Sequence, residues 1–224
     1  MRAAIYFTPP DDAPLAHLAS DWLGRDAFTG AQTRPLEPWL QPLVADPARY
    51  GFHATMKAPF RPAGGVSLEA LDDHLAAFCA AREATTIRAL ALHRISGFFA
   101  LVPDRAEPAL DALAAETVRA FEPVRAPLGP AELARRKPES LSERQRAYLT
   151  DWGYPYVFEE FRFHMTLTGR VPEDAAPAVE AMLLARFEPV LGQPLRIGSL
   201  ALFCESGPGQ PFLVHSLHSL RTEP

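Results

Sequence analysis

The chain has 224 residues, 48% of them hydrophobic and 22% charged, with a formal net charge of −5. That length allows one large domain or two small lobes with a sizeable core, and the composition is that of an ordinary globular protein rather than a disordered one. The acidic balance weighs against coating of long nucleic acid, which favours a basic domain or stripe, and no apolar run approaches the roughly 20 residues needed to cross a bilayer.

From the N-terminus, Met1 to Phe7 reads as a first strand, ended by Pro9 and Pro10 and too short to be the apolar core of a secretory leader. A soluble cytoplasmic protein with no membrane attachment is expected. Gly51 to Lys57 then alternates: Phe52, Ala54 and Met56 form an apolar face, while His53, Thr55 and Lys57 share the other. A helix follows, with Leu68, Leu71, Leu75 and Phe78 at helical spacing and Ser67 placed to cap it. Two strand-like runs come next, Ile87 to Ile95 and Gly97 to Val102.

A further helix carries Leu110, Leu113, Thr117 and Phe121 and leads into a connector over residues 125–160. This stretch is locally basic, with Arg125, Arg135, Arg136, Lys137, Arg144 and Arg146 against Glu132, Glu139 and Glu143. Ser140 followed by Glu143 predicts a capping box for a helix that Gly153 can end. Tyr154 and Tyr156 come just after it. The connector reads either as a rim or lid presenting basic and aromatic groups to a phosphorylated substrate, or as a solvated helix with a packed turn, which accounts for most of its charges.

The second half repeats the first. Phe161, Phe163, Met165 and Leu167 form an apolar face, with Arg162, His164, Thr166, Thr168 and Arg170 alternating onto the other. A helix through Val179, Met182, Leu183 and Phe187 follows, then strands from Leu195 to Cys204 and from Pro211 to Leu217. Ile87 lies 34 positions after His53, and Ile197 lies 33 after His164. This spacing predicts a duplicated α+β unit with a pseudo-two-fold axis: a bilobal domain over 1–224 with approximate lobes 1–105 and 106–224, two antiparallel-type sheets flanked by helices, and a central groove. Many of the 23 prolines, such as Pro59, Pro103, Pro108 and Pro172, punctuate these short elements. Cys79 and Cys204 have neither metal-ligand nor C-x-x-C spacing and read as reduced core residues, with a single bridge left open.

The two segments His53-Ala54-Thr55-Met56 and His164-Met165-Thr166-Leu167, with flanks Tyr50-Gly51-Phe52 and Trp152-Gly153-Tyr154-Pro155-Tyr156, resemble the 2H phosphoesterase superfamily. They are closest in pattern to its subgroup of unassigned proteins encoded beside phosphonate-utilisation genes. The resemblance runs over nearly the whole chain. It implies a bilobal α+β fold and catalytic roles for His53, Thr55, His164 and Thr166, and it leaves the substrate open.

The residues themselves fit that chemistry. Hydrolysis of a phosphodiester needs a proton taken from water and another given to the leaving alkoxide, which two imidazoles can do near neutral pH. Threonine hydroxyls can donate to the non-bridging oxygens. Lys57, Arg162, Thr168, Tyr154 and Tyr156 are the expected substrate-binding residues. No metal spacing is present, so neither metal nor other cofactor is expected. His93, His215 and His218 read as structural. The favoured activity is a metal-independent cyclic phosphodiesterase acting on a small phosphorylated sugar or nucleotide. An enzyme for RNA ends bearing a 2′,3′-cyclic phosphate and a non-catalytic phosphate-binding module are the alternatives, and protein partners stay unknown. The geometric expectation is sharp: both imidazoles and both threonines face one groove, with Met56 and Leu167 buried behind them.

Overall fold

The structure, a computed structural model, describes residues 1–222. Its strands are β1 (Arg2–Phe7), β2 (Ala54–Phe60), β3 (Thr85–Ile87), β4 (Leu90–Ile95), β5 (Phe98–Pro103), β6 (Met165–Thr166), β7 (Leu195–Ile197), β8 (Ser199–Glu205) and β9 (Phe212–Ser219). Its α-helices are α1 (Pro14–Leu23), α2 (Gln41–Tyr50), α3 (Leu68–Ala80), α4 (Pro108–Ala120), α5 (Pro130–Arg135), α6 (Glu143–Trp152) and α7 (Ala176–Phe187). Seven strands form one antiparallel sheet in the order β4-β5-β6-β2-β1-β8-β9, and β3 pairs separately with β7.

The α+β class and the internal symmetry are as the spacing predicts, but the two expected sheets are joined into one. The join is the pairing of β2 with β6 through Ala54 and Met165, each of which follows its motif histidine by one residue. The pseudo-two-fold axis therefore passes between the two motifs. Return strands are exchanged across it: β5, from the first half, pairs with the motif strand of the second, while β8, from the second half, reaches β2 through β1. The sequence halves 1–105 and 106–224 are thus interleaved in the sheet rather than set side by side.

One face of this sheet carries the main core. Ile5, Phe7, Ala54, Met56, Phe99, Leu101, Met165, Leu167, Leu200 and Leu202 alternate onto it and meet apolar residues of α1, α3, α4 and α7, including Trp22, Leu75, Leu113 and Phe187. Ser67 caps α3 as predicted, its hydroxyl accepting from the Ala70 amide at 3.1 Å. Around α6 the capping box is Ser142 with Gln145 rather than Ser140 with Glu143. The reason is local: Ser140 sits in a short 3₁₀ turn and its hydroxyl donates back to the Lys137 carbonyl. Helices α1 and α2 carried no clear sequence signal, because Pro14, Pro42 and Pro47 interrupt the apolar period. Pro14 and Pro42 occupy the first turn of a helix, where a missing N–H costs little.

The opposite sheet face holds a smaller apolar patch of Ala4, Tyr6, Ala27, Ala201, Phe203 and Phe212. Of this patch, Tyr6 lines the groove described next, together with residues of the connector. Cys79 and Cys204 are both free, and burial pushes each thiol up to about 11, as expected of inert thiols. Among the described residues no helix is long and apolar enough to cross a membrane.

Candidate active site

The register at the centre of the sheet builds the site. With Ala54 opposite Met165, one residue further each way sets His53 opposite Thr166 and Thr55 opposite His164, all four on the face turned away from the core. The two histidines thus flank the pair that joins the halves, near enough for the charge of His164 to act on His53. All four side chains line one cavity of about 840 Å³. Met56 and Leu167 lie buried on the other face.

Each imidazole is fixed in the same way. The His53 Nδ1 stands 2.8 Å from the Gly51 carbonyl, and the His164 Nδ1 stands 2.7 Å from the Arg162 carbonyl, two residues back in each case. A carbonyl only accepts, so Nδ1 carries the proton and Nε2 is left as the acceptor nitrogen of each neutral ring. The Thr55 hydroxyl reaches His53 Nε2 at 3.3 Å. Tyr6 stacks on the His53 ring with centroids 3.8 Å apart, while the ring nearest His164 is that of Phe98, tilted at 50° with centroids 5.8 Å apart. Burial, with the neighbouring His164 adding to it, lowers the His53 pKa to about 4, against the opposing bond to Gly51. Burial also lowers His164, less strongly. Nothing in the sequence marked Tyr6 except its place on the face of β1 opposite Ile5.

Gly51 makes the His53 anchor possible. Its φ of 77° and ψ of 166° belong to a region nearly closed to residues with a Cβ, and a Cβ there would stand 2.7 Å from that of Ala27. Gly51→Ala is expected to destabilise the fold by about 1–3 kcal/mol and to depress turnover as well, because the carbonyl orienting His53 must move. Urea unfolding together with steady-state rates checks this; an unchanged midpoint would show the strain to be absent.

Of the expected binding residues, Lys57 and Arg162 lie elsewhere. A β-bulge separates the pairs Tyr6–Thr55 and Ile5–Lys57, so Lys57 leaves the face of Thr55 and joins that of Ile5. There it is 3% exposed and donates to the Glu122 carboxylate at 2.7 Å and the Val118 carbonyl at 3.2 Å. Arg162 is exposed and donates to the Glu159 and Phe161 carbonyls, away from the groove lining, because residues 161–164 are not in regular strand. Thr168 borders a smaller cavity with His53 and Thr166 but is fully buried, its hydroxyl accepting from the Phe99 amide at 2.9 Å and so tying β5 to the segment after β6. Of the two tyrosines, Tyr154 lines the groove, and Tyr156 is exposed beside it.

The connector does form a wall of the groove, through Glu132 and Arg135 of α5, then Arg136, then Tyr154. Gly153, at φ 74°, ends α6 and packs against the Arg125 guanidinium, which turns the chain toward the cavity at Tyr154. The far wall is closed by Glu205, a nearly fully buried carboxylate held by Arg2 at 2.6 Å and Arg49 at 2.5 Å. The Arg2 bond chiefly holds the Glu205 carboxyl below its usual range. His218 bonds Asp72 at 2.7 Å outside the groove lining.

The architecture and the symmetric pair of H-x-T segments are those that the 2H phosphoesterase resemblance implies. Sequence comparison places the chain further: residues 55–213 match the family model described as "Protein of unknown function (DUF1045)", and the chain belongs to that family. It is 39% identical over 225 residues to a protein of Janthinobacterium sp. (strain Marseille), covering 95% of this chain and 49% of that protein. It is 37% identical over 234 residues to one of Laribacter hongkongensis (strain HLHK9), covering 100% and 55%. Both are named ribose 1,5-bisphosphate phosphokinase PhnN, and the chain spans about half of their length. Among solved structures, TT0787 of Thermus thermophilus aligns at 18% identity and a TM-score of 0.48, covering all of both chains. E. coli LigT, solved with NADP+, aligns at 15% identity and 0.44, covering 98% of this chain and 96% of its own.

Proposed function

We propose that this chain is a metal-independent phosphoesterase that opens a cyclic phosphodiester on a small phosphorylated sugar or nucleotide. The observation that carries the reading is the pair of imidazoles lining one cavity, each with Nδ1 tied to a carbonyl so that Nε2 is its acceptor nitrogen. An in-line displacement at phosphorus needs proton acceptor and donor on opposite sides. His53, the harder of the two to protonate, takes the proton from the attacking water. The water oxygen bonds to phosphorus as the P–O bond to the sugar alkoxide breaks, and that alkoxide receives the Nε2 proton of His164. Each transfer contributes about 10²–10⁴-fold. Thr55 and Thr166 donate to the non-bridging oxygens, where charge grows.

The relatives' name supports a sugar substrate. It specifies a ribose bisphosphate, and opening a cyclic phosphodiester on a ribose that already bears one phosphate gives a ribose bisphosphate. A place in phosphonate metabolism, implied by the sequence resemblance, belongs to the same proposal. A panel of cyclic phosphodiesters assayed with and without EDTA tests it, and turnover is expected to survive chelation. A strict need for Mg²⁺, Mn²⁺ or Zn²⁺ would overturn the metal-free chemistry. Binding across the panel with no hydrolysis would instead favour a phosphate-binding module.

The depressed imidazoles also set the pH response. In the free protein both are neutral at pH 7, whereas the working form has one of them protonated. The kcat/KM profile is therefore expected to be a bell with its maximum below pH 6.5, its two limbs belonging to the pair rather than to either residue. A maximum above pH 7 would contradict the assignment. Stability should move with it: an unfolded imidazole protonates near 6.5 and folded His53 only near 4, so protons favour the unfolded chain, and this contribution is lost as pH falls between those values.

A further inference from the structure

We propose that Arg135 and Arg136 form a second anion site in the groove, which holds a terminal phosphomonoester of the substrate while the histidine pair acts on the cyclic phosphodiester. The inference rests on the phosphoesterase reading and narrows its substrate to one carrying two phosphates. Five arginines line the cavity. Three of them are neutralised: Arg2 and Arg49 by Glu205, and Arg61 by Glu132 at 2.9 Å. Among the described residues, Arg135 and Arg136 make no salt bridge, although the charge of Arg135 is felt at Glu132. In a chain of net charge −5, two adjacent uncompensated guanidiniums on a cavity wall are not background.

Their setting suits a phosphate dianion. The Arg136 guanidinium lies over the Tyr154 ring, 5.1 Å from its centroid, which steadies the group through its face and leaves its N–H edge available. Both arginines line the same cavity as His53, His164 and Tyr6, the ring stacked on His53. A phosphomonoester carries close to two negative charges above pH 6, and two guanidiniums can both balance and fork onto its oxygens. The cavity, about 840 Å³, leaves room for a second phosphate beyond the cyclic one.

The test pairs two substrates that differ only in the terminal phosphate: adenosine 2′,3′-cyclic phosphate with and without a 5′-phosphate. The wild-type protein is expected to prefer the 5′-phosphorylated compound in kcat/KM by about 10- to 100-fold, the worth of one or two charge-assisted bonds. In the double variant Arg135→Gln, Arg136→Gln, the ratio should fall to near one. A parallel titration with adenosine 3′,5′-bisphosphate and adenosine 3′-monophosphate reads the same site without turnover. Tighter binding of the bisphosphate, lost in the double variant, upholds the site even if neither cyclic compound is hydrolysed, in which case the phosphoesterase reading alone fails. Hydrolysis of both cyclic compounds at equal kcat/KM by the wild type, with equal affinity for the two adenosine ligands, overturns the site and leaves that reading standing. The wild-type ratios decide the matter even if the double variant does not fold.

Discussion

His164→Ala is expected to lower turnover by about 10²–10⁴-fold, and His53→Ala to do the same, with the two losses differing in what can repair them. The neighbourhoods of the rings explain why both variants should fold. His164 is half-buried beside the tilted ring of Phe98, while His53 covers the face of Tyr6, and neither imidazole joins an apolar core. Losing that stack should cost about 0.5–1.5 kcal/mol, a shift in unfolding midpoint rather than a collapse. The assigned roles separate with a substrate whose leaving group needs no proton. On a nitrophenyl phosphodiester, His164→Ala should recover most of its rate, because an acidic phenol departs without a general acid. His53→Ala should stay slow, since the water still has to lose a proton. Equal rescue of both variants would exchange or abolish the roles. Full turnover in either, with loss of cooperative unfolding, would make the histidines structural.

The quartet proposed as catalytic was legible in the sequence because strand alternation is a local rule: residues i and i+2 share a face whatever the sheet around them does. His53 with Thr55 and His164 with Thr166 obey it. Lys57 does not, because a single bulge between Thr55 and Lys57 resets the alternation, and a bulge leaves no mark in a run such as Thr-Met-Lys-Ala. Arg162 fails for a related reason, since the backbone before Met165 is not a regular strand. Which strands lie beside the motifs was likewise invisible. The exchange of β5 and β8 across the two-fold axis is set by contacts between distant segments, whereas the 34- and 33-residue spacings record only that each half follows the same order. The connector shows both limits at once: its basic character could be read directly, but only the packing of Gly153 on Arg125 shows which of its groups turn toward the cavity.

Glu122→Ala is expected to destabilise the protein by about 3 kcal/mol, whereas Lys57→Met should change stability by less than about 1 kcal/mol. The asymmetry follows from what each substitution strands. Lys57 is almost entirely buried, and burial lowers its pKa despite the bond to Glu122, so its charge is tolerated only beside that carboxylate. Without Glu122 the ammonium keeps a single carbonyl, that of Val118. Burial works to raise the Glu122 carboxyl, but Arg125 and Lys57 together hold it below its usual range, and in Lys57→Met the Arg125 partner at 2.5 Å stays in place. Methionine also fills the space of the lysine stem. The pH dependence gives an independent check, because a lysine without its carboxylate sheds its proton more readily, and the Glu122→Ala deficit should shrink as pH rises. Lys57→Met should keep its KM for the cyclic substrate, as the bulge has carried the side chain to the face away from the histidines. A raised KM with an unchanged unfolding midpoint would return Lys57 to the groove and show that the bulged register is not the one used in solution.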